Sequence, residues 1–167
     1  RWSDWTASVE DGYKLFLGDA DTIYFVGLSM GGALSLLMST RLKVKGIVTM
    51  SVPYRMPAKY AAWQIRLASY FITSLPKRKN KPGADWFDKE AYKEQISYPL
   101  NPIRSAAELE VLLANMRAAL PNVTVPVCMI HSKNDDYIVP ENMEQIYAGV
   151  VNATDKSKHY VTESGHV

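Results

Sequence analysis

Apolar residues along the chain fall into two kinds of pattern. Short apolar blocks lie at 22–27, 44–51 and 125–131, rich in Val and Ile, and a fourth strand is expected at 157–162. Runs of this length suit strands buried on both faces. Between them apolar positions recur every three or four residues, predicting helices over 4–17, 30–40, 105–120 and 140–150. In the first helix Trp5, Val9, Tyr13 and Phe16 share a face, with Ser3 as the expected N-cap. The helix at 105 opens on a capping box, Ser105 to Glu108, and carries Leu109, Leu112, Leu113, Met116 and Leu120 on one side. Pro126 falls at the start of its strand, and Pro140 where a first helical turn accepts proline. Strands alternating with helices predict an α/β fold: a parallel sheet with helices on both faces.

Residues 54–103 interrupt this alternation. Tyr60, Trp63, Leu67, Phe71 and Leu75 form one helical stripe after Pro57, and PKRKNKPG at 76–83 is a basic loop bounded by prolines. The stripe is either ordinary core or the underside of a small helical cap, because an insertion after a strand's C-terminal end hangs over the ligand side of such a sheet. On the cap reading Trp63 and Phe71 line a substrate pocket. The basic loop is expected to be a solvated surface.

Composition narrows the partners. The chain has 167 residues, enough for one domain with a real core, and 47% are hydrophobic against 22% charged. A net charge of +2 gives no basic excess for nucleic acid, and no segment reaches the length of a membrane span. The single cysteine, Cys128, excludes an internal disulfide and suits a reducing, cytoplasmic compartment. No metal-ligand cluster, nicotinamide fingerprint or phosphate loop ending in Gly-Lys-Ser/Thr occurs, so no cofactor and no metal are expected.

The candidate chemistry sits where the first apolar block gives way to a helical pattern. There Gly27-Leu28-Ser29-Met30-Gly31 places a serine between glycines two before and two after. Such glycines let strand and helix approach closely around a tight turn, which drives the serine outward at a helix N-terminus. The turn is either a nucleophile elbow or a non-catalytic, phosphate-binding or merely well-packed corner. A serine nucleophile needs a histidine base, and the base needs an acceptor that fixes its tautomer. Of three histidines, His159 lies inside a strand, His131 ends one, and His166 follows the last strand in Ser164-Gly165-His166. Loops beyond strand C-termini are where ligands meet catalytic groups, which favours His166. His131 is then expected to be dispensable. The acid is sought in HSKNDDYIVP at 131–140, where Asp135 and Asp136 both stand. The order serine, acid, histidine is that of the strand-elbow hydrolases.

These segments resemble the α/β-hydrolase family, most closely its bacterial carboxylesterase and monoacylglycerol lipase branch. DWTASVEDGYKLFL, IYFVGLSMGGALSL and VKGIVTMSVP carry the likeness, with HSKNDDYIVP and ESGHV as acid and histidine loops. It extends over nearly the whole chain and is weakest across 54–103. Aligning Ile138-Val139-Pro140 with the family's hydrophobic-proline turn implies Asp135 as the acid. The resemblance implies ester hydrolysis by Ser29, His166 and Asp135 on a small-molecule ester, with the Met30 backbone N–H as one oxyanion donor. It also implies that residues 1–167 are the C-terminal part of one hydrolase domain whose N-terminal strands, with the second oxyanion donor, lie upstream. The elbow strand would then stand at an uncovered apolar edge, an aggregation hazard, and the piece alone is expected to be nearly inactive.

Overall fold

In the computed structural model, which describes residues 1–56, 62–76, 88–94 and 100–166, the predicted alternation becomes six α-helices and six strands among the described residues. They run α1 (Trp2–Phe16), β1 (Tyr24–Leu28), α2 (Met30–Met38), β2 (Gly46–Met50), α3 (Ala62–Ala68) and β3 (Ser74–Pro76). After these come α4 (Lys89–Glu94), β4 (Leu100–Pro102), α5 (Ile103–Ala119), β5 (Val127–Ser132), α6 (Glu141–Gly149) and β6 (Lys156–Val161). The four strands expected from the sequence form one parallel sheet in the order β1-β2-β5-β6. Val26 lies opposite Val48, Val48 opposite Cys128, and Cys128 opposite Ser157. All four C-terminal ends therefore lie at one rim of the sheet.

Helix α2 is apolar except for Ser35 and is buried from Gly32 to Met38. It packs on β1 and β2 and against α5. Leu36, Leu112, Leu113 and Met116 are completely enclosed, and Ile47, Val127, Met129 and Ile146 close the core around them. Each such side chain contributes about 1.5–3 kcal/mol by leaving water, so this α2–α5–sheet core holds the strand ends in place.

Several expectations are corrected. Helix α1 starts two residues early, capped by Arg1, whose terminal amine meets Asp4 at 2.8 Å; Ser3 is already inside the first turn. Phe16 is exposed rather than on the buried face. The capping box at Ser105 does not form, because α5 begins at Ile103 directly after Pro102. The Ile103 N–H bonds Thr73 O at 3.2 Å, so the β3–β4 ribbon sets the helix start, and Glu108 accepts the Trp2 N–H at 3.0 Å instead. One expectation holds: the elbow strand β1 stands at the edge of the sheet, and its Tyr24, Val26 and Leu28 are exposed.

The stripe in 54–103 is also revised. Trp63, Leu67, Phe71 and Leu75 are exposed rather than core. Helix α3 stops at Ala68, and Ser74–Pro76 pairs antiparallel with Leu100–Pro102 in a short ribbon instead of continuing the helix. The β-branched Ile72-Thr73 pair favours that extended path. Both α3 and the ribbon pack on α5. Tyr60 and residues 77–83 of the basic loop lie outside the described residues.

Candidate active site

Ser29 occupies the bend between β1 and α2 with φ 53° and ψ −119°, a backbone conformation that L-residues rarely adopt. Three bonds hold the bend: the Ser29 N–H donates to Met50 O at 2.7 Å, and the N–H groups of Gly32 and Ala33 donate to Ser29 O at 3.1 and 3.3 Å. The steric requirement falls on Gly27 and Gly32. A Cβ on Gly27 would lie 2.3 Å from the backbone of Gly31, and one on Gly32 would lie 2.2 Å from the Val52 side chain. A Cβ on Gly31 would meet nothing within 4 Å. The pair that matters is therefore 27 and 32 rather than 27 and 31, a correction to the spacing read from the sequence. Met30 opens α2, so its backbone N–H has no carbonyl to bond within the helix.

The acid loop leaves β5 one strand beyond β2. Asp135 is fully buried, whereas Asp136 is exposed. One carboxylate oxygen of Asp135, Oδ1, accepts the backbone N–H groups of Ile138 at 2.8 Å and Tyr137 at 3.1 Å. The other, Oδ2, meets His166 Nδ1 at 2.8 Å. His166, on the loop after β6, turns its Nε2 toward Ser29 Oγ at 3.2 Å. Ser29, His166 and Asp135 thus form one continuous hydrogen-bonded chain across three strand ends. Histidine and carboxylate are almost closed off from solvent, at 11% and 0% side-chain exposure, so water competes little for either bond.

Of the other candidates, His159 is exposed on β6 and His131 is buried beneath Asp135. Trp63 and Phe71 are exposed at 66% and 82%, and neither is among the residues bonded to Ser29, Asp135 or His166. The sequence reading missed the residues that hold the histidine loop. The Ser132 hydroxyl donates to Ser164 O, the Asn134 amide donates to Thr162 O, and the Lys133 N–H donates to Val161 O at 2.8 Å. Ser and Asn directly after a strand are turn formers, and that was the available signal. Tyr137 adds an edge-on ring contact to His166, with centroids 5.2 Å apart.

An elbow serine, a histidine and a buried carboxylate at the rim of a parallel sheet define a lineage that comparison with known proteins tests. The model of the alpha/beta hydrolase family matches residues 1–167. The chain belongs to this family. It is 29% identical over 165 residues to a thermostable monoacylglycerol lipase of Bacillus sp. strain H-257, covering 98% of this chain and 62% of that one. It is 28% identical to a carboxylesterase of Bacillus subtilis strain 168, covering 98% of this chain and 64% of the relative. A metagenome-derived lipolytic enzyme from the study of LipS and LipT superposes with a TM-score of 0.84 at 26% identity, over 99% of this hydrolase chain and 65% of that enzyme. The chain therefore spans somewhat under two thirds of the length of these relatives.

Proposed function

We propose that this alpha/beta hydrolase is a serine esterase that cleaves carboxylic esters of short to medium acyl chains, monoacylglycerols among them. The observation that carries the reading is the unbroken relay from Ser29 Oγ through His166 to Asp135, at 3.2 and 2.8 Å. His166 Nε2 removes the hydroxyl proton as Ser29 Oγ attacks the ester carbonyl, and Asp135 holds Nδ1–H and stabilises the imidazolium that forms. The tetrahedral oxyanion accepts the Met30 N–H at the start of α2, where the helix end adds favourable potential. His166 then gives its proton to the departing alcohol, and water releases the acid from the acyl-enzyme by the same relay in reverse. A second oxyanion donor from an upstream loop would supply about 3–4 kcal/mol of transition-state stabilisation. The names of the bacterial relatives support an ester substrate, and the exposed aromatics Trp63 and Phe71 are proposed to guide its acyl chain.

The test is labelling of the natural-length protein with a fluorophosphonate probe. Label is expected on Ser29, and Ser29→Ala is expected to abolish both label and p-nitrophenyl butyrate turnover, about a million-fold in kcat. Equal labelling of the variant overturns the reading.

A further inference from the structure

His131 has no part in that relay, yet it is the most completely enclosed polar ring of the described residues, 1% exposed at the end of β5. Its Nε2 lies 2.6 Å from Ile138 O. A carbonyl only accepts, so Nε2 carries the hydrogen and Nδ1 is left as the acceptor; Nδ1 has no partner among the described residues. Enclosing a polar atom without a partner is costly, and an apolar side chain at this position would avoid that cost. The Nε2–H must therefore provide something an apolar side chain would not.

Its surroundings show what. Ile138 is held at both ends, its carbonyl by His131 and its N–H by Asp135 Oδ1 at 2.8 Å. The same His131 Nε2 lies 3.4 Å from Asp135 Oδ2, the oxygen that His166 uses. His131 thus closes the loop on which the carboxylate rides and faces its functional oxygen from below, while His166 binds that oxygen at 2.8 Å from the rim.

We propose that His131 is a positioning residue: its Nε2–H locks the turn from Asp135 to Ile138 and thereby aims Asp135 Oδ2 at His166. This revises the expectation that His131 is dispensable. The inference rests on the proposed role of the triad but is not tied to turnover, because the hydrogen bond between Asp135 and His166 can be read without substrate.

The experiment compares His131→Leu, which removes the donor, with His131→Gln, whose amide nitrogen sits near the Nε2 position. The proton on His166 Nδ1, bonded to a carboxylate, gives a far-downfield resonance in the proton NMR spectrum of the natural-length protein. That resonance is expected to persist in H131Q and to vanish in H131L. In parallel, H131L loses about 10- to 100-fold in kcat with KM within about threefold, and H131Q stays within about threefold in both. Where H131L does not fold, His131→Asn serves in its place, since its shorter amide cannot reach Ile138 O. A folded H131L with the wild-type resonance and kcat overturns the inference, as does an H131Q as impaired as H131L. If the wild type hydrolyses no ester but H131L still loses the resonance, the esterase reading fails and the positioning role stands.

Discussion

Two turns converge on His166, and they are built by opposite means. The elbow at 27–32 is shaped by what is missing: Gly27 lies so close to Gly31 that no Cβ fits, and the backbone of Ser29 is held by main-chain bonds to Met50, Gly32 and Ala33. The acid loop at 131–138 is shaped by what is present. Asp135 takes two backbone N–H groups and His166 Nδ1, with His131 Nε2 beneath it. A turn set by excluded volume fails when an atom is added. A turn set by saturated polar groups fails when a donor or acceptor is removed.

Leaving the nucleophile itself aside, the largest effect should come from removing an acceptor in the second turn. Asp135→Asn replaces one accepting oxygen with an NH₂ that cannot receive the Nδ1–H of His166, so the imidazole takes the wrong tautomer. A loss of about 10⁴-fold in kcat is expected. Asp136→Asn, one residue on but exposed, should stay within about threefold, as surface changes do. Steady-state hydrolysis of p-nitrophenyl butyrate by both variants checks this. Comparable losses would mean that the loop's general electrostatics, not one aimed carboxylate, matter.

The two turns also differed in how far the sequence revealed them. The parallel sheet was legible because three of its four strands are short apolar blocks, and α2 because Ala33, Leu34, Leu37 and Met38 recur at helical spacing after a glycine turn. The elbow serine could be read from local glycine spacing and His166 from its place after the last strand, whereas Asp135 over Asp136 rested on the family resemblance of Ile138-Val139-Pro140. The choice of Gly32 over Gly31 could not be read, because it depends on Val52, twenty residues away and packed against it only once the chain is folded. The supports of the acid loop were hidden for the same reason: Ser132 and Asn134 look like ordinary turn residues until β6 brings Thr162 and Ser164 alongside. The stripe in 54–103 misled because helical periodicity marks an amphipathic face and not what covers it. Trp63 and Phe71 have that periodicity and are exposed.

Next in size is the addition of one atom to the first turn. Gly27→Ala brings a methyl to 2.3 Å from the Gly31 backbone, which cannot retreat without opening the contact between β1 and α2. Overpacking of this kind costs about 3 kcal/mol. Gly31→Ala meets open space inside α2, so its effect should remain under about 1 kcal/mol and favour the helix. Urea unfolding midpoints of the two variants measure the difference. Equal midpoints would refute the excluded-volume account of the elbow, whatever the activities.

The smallest effect tests whether a polar cluster shapes a loop only when it is buried. Glu144 on α6 is likewise a carboxylate with several donors but lies in solvent, and its donors are side chains: Lys158 Nζ approaches it at 2.6 Å, and the Tyr160 hydroxyl donates to it. The bond to Glu144, then partial desolvation and the carboxylate's charge, push the Tyr160 hydroxyl from 10.0 up to about 12. The bond to Lys158 holds Glu144 below its usual range. Because Tyr160 has a raised pKa in the folded state, its contribution to stability is complete below pH 10 and is lost as pH rises from about 10 to about 12. Glu144→Gln should return the Tyr160 titration, followed through its ring carbon resonances, toward the ordinary tyrosine value. The melting temperature at pH 7 should scarcely move, since water screens every member of this group. A melting shift as large as that of a buried substitution would break the distinction between the two carboxylates. An unmoved Tyr160 titration would show that the hydrogen bond to Glu144 does not persist in solution.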